Sequence, residues 1–409
     1  MKALIAGGGI GGLTAALFLA RLGIEVEIFE RSGEIRELGV GINMLPHAVR
    51  ELSELGLLEA LDAQAIRTRE LIYANRLGQI VWHELRGIDA GHALPQFSIH
   101  RGKLLGVIHQ AVAERLGRDV IRTGWQVRGF RQDEGGVTVE LSDRQGTPAS
   151  ASGDLLVGAD GIHSTVRAQL FPDEGAPIWN GAMLWRGCTP WPTWRDGRTM
   201  LIAGGNAAKF VFYPIAVRPG EPGERLTNWA VMANTGVAGA SPPRRENWRR
   251  RGEPADVLPL VHNRFKLDGV DPAGIIEATE EFYEYPNCDR DPLSQWSFGR
   301  VTLLGDAAHP MYPVGSNGAS QAILDARSLG THLASLGSVE TALAAYDAER
   351  RPSTSRIVLS NRQGGPEGVI DLVEARAPDG FTDIEQIASH DERRALVTGY
   401  ANLAGFARQ

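Results

Sequence analysis

A glycine run, Gly7-Gly8-Gly9-Ile10-Gly11-Gly12, stands between a strand-like segment, KALIA, and a helical one, GLTAALFLARLG. A second strand-like segment, EVEIFE, follows at once, so the chain opens on a βαβ unit. Inside such a unit the G-x-G-x-x-G spacing has a mechanism. Gly7 permits the tight turn, Gly9 lets backbone approach a pyrophosphate, and Gly12 lets helix pack on strand. The helix N-terminus then faces the anion. Glu30 closes the second strand, where a carboxylate accepts from a ribose diol and repels a 2′-phosphate. These residues select an adenine dinucleotide without that phosphate, either NAD or FAD, and do not separate the two. In a chain with 49 glycines the spacing alone would mean little. The bland alternative is a glycine-rich helix entry beside a surface glutamate.

Lys2 followed by ALIAGGGIGGLTAALFLA has the texture of a secretory leader. The fingerprint spacing and the strand that follows it argue for a folded unit instead. No other stretch is apolar and long enough to span a bilayer, so a cytoplasmic protein is expected. A formal net charge of −7 over 409 residues excludes the basic face that nucleic acid requires. Cys188 and Cys288 lie far apart and outside any CxxC spacing, so no disulfide framework and no metal site are expected. A small apolar or neutral partner suits this balance, and the chain is read as a monomer or homodimer.

Along the chain, LPHAVRELSELG and KLLGVIHQAVAERLG carry apolar residues at helical spacing. Between them, ELIYANRLGQIVWHEL reads as a hairpin around Leu77-Gly78. GVTVELSDRQGTPAS is a second hairpin, and DLLVGAD is a buried strand entering a turn at Asp160-Gly161. From about Phe171 to Asp291 the texture becomes rich in Trp, Pro and Gly, with strand-like TMLIAGG, KFVFYPIA and TNWAVMAN. This predicts a second, mostly antiparallel layer. VTLLGDAAH then restores the strand-turn-helix pattern, and helices follow around Gln321–Leu333 and Val339–Leu359. The tail after Gly364-Gly365-Pro366 reads as a loop and a short helix without assignable function.

A strand ending in Gly305-Asp306 lets the aspartate accept from a sugar-like hydroxyl, although aspartate is also a common helix cap. SNGASQA begins a helix whose backbone donors would face a ligand and stabilise negative charge on a reduced flavin. Together GGGIGG with Glu30, DLLVGADGIHSTVR and RVTLLGDAAHPMYPVGSNGASQAILDA resemble the single-component flavoprotein aromatic hydroxylases, the family of para-hydroxybenzoate and salicylate hydroxylases. The resemblance extends to about Arg351. GVGINMLPHAV, PQFSIHRGKL, MLWRG and YPNCDRDPL are similar to the phenazine-modifying branch of that family.

The resemblance implies an α/β fold with a discontinuous Rossmann-like FAD-binding domain of the GR2 type, residues 1–70, 98–170 and 290–360. A mixed or antiparallel substrate-binding β-layer, residues 71–97 and 171–289, and a helical tail, residues 361–409, complete it. It implies bound FAD, with NADH or NADPH and O2 as co-substrates. Residue by residue, Asp160, Gly161 and Arg167 match the DG motif, tied to the FAD pyrophosphate and to NAD(P)H. Asp306 matches the ribityl contact, and Arg101 an arginine near flavin and pyrophosphate, with a plain surface arginine as its alternative. Pro313, Gly315, Asn317, Gly318 and Ala319 match the loop against the isoalloxazine ring. Gly41 matches a glycine on the ring's mobile face, and Arg31 and Val127 are grouped with the cofactor residues.

No second strand-turn-helix GxGxxG occurs, so the reductant is expected to meet a flavin that swings outward. The implied chemistry is hydride transfer to flavin, then oxygen delivery to an electron-rich ring from a C4a-hydroperoxide in a site that excludes water. Candidate catalytic residues are Pro313, Tyr213 and Arg186. Tyr213 could serve as a base or simply pack in the sheet core; Arg186 suits a carboxylate, with Trp185 beside it as a pocket wall. His309 is expected to pack structurally. The substrate expected is a planar aromatic acid, a phenazine-like heterocycle before a hydroxybenzoate or hydroxypyridine acid, with decarboxylation a possible accompaniment.

Overall fold

The runs ALIA, LLVG and VTL are apolar on both faces, and in the computed structural model every one of their residues is buried. Strands of this kind need cover on both sides, which parallel pairing with helical crossovers supplies. They form the middle of a six-stranded sheet in the order Ser297–Phe298, Val301–Leu303, Leu155–Gly158, Lys2–Ala6, Glu25–Glu30, Ile121–Thr123. All its pairings are parallel except that of the Ser297–Phe298 edge. The described residues are 1–35, 39–245, 247, 250–335 and 337–407.

Register fixes the consequence. Ala3 pairs with Leu155, and Leu156 with Val301. Three neighbouring strands therefore end at one sheet edge, delivering Gly7, Asp160 and Gly305 side by side. Two amide links hold that edge: Ala159 N donates to Ala6 O at 2.8 Å and Leu304 N to Gly158 O at 2.9 Å. The helix Ile10–Arg21 packs between Arg101–Leu116 and Gly318–Ser335 over a single apolar cluster.

The Trp- and Pro-rich region folds into a seven-stranded sheet, ordered Phe282–Asp289, Ile178–Pro192, Glu224–Asn234, Ala208–Val217, Thr199–Ala203, Glu70–Ala74, Ile80–Leu85. Only Thr199–Ala203 and Glu70–Ala74 pair in parallel. Alternation sorts its side chains between two faces. Trp185, Phe210, Trp229 and Phe282 bury on one face under the helices Pro254–Val261 and Pro272–Glu277. A small sheet, Gly41–Met44, Gln96–His100 and Ala65–Thr68, packs against Ala208–Val217 of the seven-stranded sheet and the helices Pro46–Glu54 and Arg101–Leu116.

The tail is more than a loop and a short helix. After the turn Gly365–Glu367 come two helices, Gly368–Arg376 and His390–Leu403. Val369, Ile370, Val373 and Val397 bury against Tyr73, Met200, Tyr213 and Ile215 on the other face of the seven-stranded sheet. The missed signals were an i, i+1, i+4 apolar stripe and Ser389 with Glu392, a helix-start pair whose Ser389 Oγ accepts from Glu392 N at 3.3 Å. Among the described residues no helix is long and apolar enough to cross a membrane.

Candidate active site

At the first turn, Gly7 has φ +107°, and a Cβ there would stand 2.3 Å from Ala159 O. A Cβ on Gly12 would stand 2.1 Å from Gly7 O, so the helix could not reach the strand. Gly9 differs: a Cβ built on it meets nothing within 4 Å. The turn is closed by protein at Gly7 and Gly12 and faces open space at Gly9. The Glu30 carboxylate accepts from Gly8 N at 2.9 Å and Ser32 N at 2.7 Å, which fixes it at the strand end with lone pairs to spare. Arg31 is on the rim of a basic cavity of about 450 Å³ shared with His163, Arg244 and Arg250. Val127 is a buried member of the main apolar cluster, so its side chain is engaged in packing.

At the neighbouring turn, Asp160 Oδ2 accepts from Thr165 N at 2.7 Å. Its Oδ1 is buried without a hydrogen-bond partner, and burial pushes the carboxyl pKa up. Gly161, at φ +82°, has open space where a side chain would be. Arg167 is placed otherwise than the resemblance implies. It is 1% exposed, and its guanidinium donates to Ala307 O, Ala308 O, Asp291 O and Glu174, which leaves no nitrogen for a cofactor. It ties the Asp160 turn to the Gly305 turn and positions both.

Asp306 and Arg101 keep accessible side-chain surface although protein surrounds them, as walls of a deep cleft do. Burial raises the Asp306 carboxyl pKa, with His309 and Arg101 opposing; burial lowers that of Arg101. Behind them, His309 Nε2 lies 2.5 Å from Asp325 Oδ2. Asp325 is fully buried and also accepts from Arg350 Nε at 2.8 Å and Gly305 N at 3.1 Å. His309 thus braces the turn, as its packing role implied.

The next loop presents Pro313 as an exposed residue between buried Tyr312 and Val314. Gly315 has φ +63° and lies against Tyr400, which a Cβ would strike at 2.4 Å. Asn317 is buried, and Gly318 and Ala319 begin the helix Gly318–Ser335, where first-turn amides have no intrahelical acceptor.

The small sheet meets the seven-stranded sheet at Gly41. Its N donates to Asn228 Oδ1 at 2.8 Å, and its O accepts from Arg186 Nη2 at 2.5 Å. Arg186 also reaches Tyr285 Oη at 3.4 Å and hydrogen-bonds Tyr213. The structure therefore brings Arg186, Tyr213 and Gly41 together. Burial, opposed by Arg186, pushes the Tyr213 phenol up to about 12. Tyr213 is 3% exposed and packs within the apolar cluster on that face of the sheet. Trp185 does not join Arg186, because strand alternation turns it to the other face, where its Nε1 donates to Glu284 at 3.2 Å.

Residues 1–360 match the family model described as FAD binding domain. The chain belongs to this FAD-binding flavoprotein family. It is 44% identical over 362 residues to phenazine 1,6-dicarboxylic acid hydroxylase PhzS of Lysobacter antibioticus, covering 88% of each chain. It is 30% identical to 3-hydroxybenzoate 6-hydroxylase 1 of Aquipseudomonas alcaligenes, covering 88% of this chain and 87% of that one. Among solved structures, Klebsiella pneumoniae HpxO complexed with FAD and uric acid shares the fold, with a TM-score of 0.74 at 23% identity over 100% and 97% of the two chains. The protein is an FAD-dependent monooxygenase that uses NAD(P)H and O2.

The residues fit FAD on physical grounds. Open space at Gly9, the unpartnered Asp160 Oδ1, the cleft pair Arg101 and Asp306, and free first-turn amides at Gly318 and Ala319 suit a long ligand bearing phosphates and hydroxyls. In this flavoprotein Asn228 and Tyr285 join Arg186 on one sheet face, although no motif in the sequence marks either of them. Period-two alternation across four strands could have found them, once the strand pairing was known.

Proposed function

We propose that this flavoprotein hydroxylates a planar aromatic acid, a phenazine carboxylate in the first instance. The observation that carries this is Arg186, a guanidinium fixed between the Gly41 carbonyl and two phenols on the sheet face that meets the cofactor side. Arg is suited to grip a carboxylate in a plane. Leu184, Ala230 and Tyr285 form an apolar group on the same face, against which Met232 and Val211 pack. Such a wall accepts a flat ring and excludes water. The relative at 44% identity acts on a phenazine dicarboxylic acid, which supports a fused ring over a single one.

Bound FAD would supply the redox chemistry, accepting hydride from NAD(P)H and activating O2 so that one oxygen atom enters the ring and the other leaves as water. The chain's own residues do the rest. Glu30 takes the adenosine ribose, and the Gly9 turn and helix N-terminus take the pyrophosphate. Asp306 and Arg101 hold the ribityl and phosphate region. The Gly318 and Ala319 amides offset negative charge on the pyrimidine side, with Pro313 against the ring. Tyr213 keeps its proton at neutral pH, because its pKa is near 12. It orients an oxygen or nitrogen of the substrate as a hydrogen-bond donor and is not a resting base.

The decisive experiment is a panel of phenazine carboxylates, hydroxybenzoates and hydroxypyridine acids tested for stimulated NAD(P)H oxidation, with product mass measured. Phenazine carboxylates should give the highest kcat/KM and a product one oxygen heavier. Loss of CO2 together with oxygen gain would show attack at the carboxylate-bearing carbon. Higher efficiency with hydroxybenzoates would replace the fused-ring reading.

A further inference from the structure

The loop at residues 312–317, which leaves Pro313 exposed, rests on the C-terminal segment. Asn361 Nδ2 donates to Tyr312 O at 3.0 Å, and Gly315 N donates to Glu367 Oε1 at 3.3 Å. Tyr400 Oη lies at the centre. It accepts from Asn317 Nδ2 at 3.0 Å and donates toward Asn361 Oδ1 at 2.8 Å, with Val314 O at 3.3 Å. Asn317 Nδ2 also donates to Gly315 O at 3.0 Å, and its Oδ1 accepts from Gln321 Nε2 at 3.2 Å. Asn317, Asn361, Glu367 and Tyr400 are all buried. Burial pushes the Tyr400 phenol pKa up, so the group stays neutral and can accept and donate at once.

A buried, fully connected network of this kind holds one conformation, since moving any member leaves a polar atom unpaired. The conformation held here contains two left-handed residues, Gly315 at φ +63° and Ser316 at φ +57°. That backbone would not keep itself in place, because a left-handed non-glycine residue is strained.

We propose that Tyr400 is a positioning residue for the flavin reaction: its hydroxyl fixes Asn317, and through it the Gly318 and Ala319 amides that receive the flavin. The C-terminal helices are thereby part of the cofactor site. The inference rests on the reading of residues 313–319 as the flavin's partner.

Tyr400→Phe tests it, since the ring that packs on Gly315 remains and the hydroxyl alone is lost. Apoprotein titrated with FAD, read by flavin fluorescence, should bind about three- to tenfold more weakly, the effect of one buried hydrogen bond. The flavin midpoint potential of the folded holoenzyme should move to a more negative value, and more NAD(P)H should be lost as hydrogen peroxide. Unchanged affinity, potential and coupling, even with a lowered Tm, would make Tyr400 a structural residue and overturn the proposal. Asn317→Ala separates the two readings. If it weakens FAD while Tyr400→Phe does not, the loop reading stands and the Tyr400 inference falls; if neither has an effect, both fall. Additive effects in the double variant would overturn the route through Asn317, whereas non-additive effects support it.

Discussion

The turn at residues 7–12 and the loop at residues 313–318, both proposed to offer backbone to the cofactor, are held by opposite means. The turn is fixed by its own glycines fitting against adjacent strands, with Gly12 on Gly7 and Gly7 on Ala159. The loop is fixed by side chains that lie 49 to 86 positions further along the chain, such as Asn361 and Tyr400. A buried ion pair stands behind it, Lys209 of the seven-stranded sheet with Glu367. One element carries its instructions locally and the other imports them.

The sharpest way to break that difference is to remove the imported support. Lys209→Met leaves Glu367 buried and uncompensated and should cost about 3–5 kcal/mol of unfolding free energy. Adding Glu367→Gln should restore most of it, because the amide oxygen still accepts from Gly315 N. Urea denaturation of both variants checks this. A loss under about 1 kcal/mol for Lys209→Met would mean the loop side is not held by the pair.

The turn should break locally. Gly12→Ala puts a methyl into the Gly7 carbonyl and should cost about 1–3 kcal/mol by overpacking, along with bound FAD. Gly9→Ala points into open space. It should leave the apoprotein's Tm within a degree or two of the parent, on the order of 0.5 kcal/mol or less, and still reduce flavin content after dialysis. Equal stability losses for the two would remove the distinction between packing and ligand glycines.

That contrast explains what could be read from the sequence. GGGIGG, DLLVGAD and VTLLGDAAH are strand-turn units whose chemistry is encoded within a dozen residues, and parallel pairing set them at one edge. Arg167 was misread for the same reason: it lies in the right motif, but its partners Glu174, Asp291 and Ala307 come from outside it. On the seven-stranded sheet, Arg186, Tyr213, Asn228 and Tyr285 come from four strands, and pairing decides which of them face each other. Tyr400 carries no local signal at all. Its partner Asn317 is 83 residues away, and only tertiary packing joins them.

Arg186 belongs with the imported kind, since it reaches Gly41 from 145 positions away. Arg186→Lys keeps the charge and loses the planar fork. It should lower kcat/KM for an aromatic acid about 10- to 100-fold, the range of one charge-assisted hydrogen bond, as steady-state kinetics would show. A neutral ring analogue should be affected much less. Equal losses on both would show that Arg186 serves Gly41 and not a carboxylate.

The smallest effect concerns the other end of the tail. His47, at the start of the helix Pro46–Glu54, is buried, stacks on Phe406 at 5.9 Å, and has no hydrogen-bond partner on either ring nitrogen. Burial, helped by Arg350, Arg50 and His92, lowers its pKa to about 3. In the unfolded chain the ring titrates near its ordinary 6.5. Between those values the unfolded state binds a proton that the native state refuses, so stability falls as pH falls through that window. The slope reaches at most about 1.4 kcal/mol per pH unit. Comparing urea midpoints at pH 7 and pH 5.5, wild type should lose stability on acidification and His47→Leu should lose less. If the two fall in parallel, the tail docks on this helix without the neutral imidazole that the stacking geometry requires.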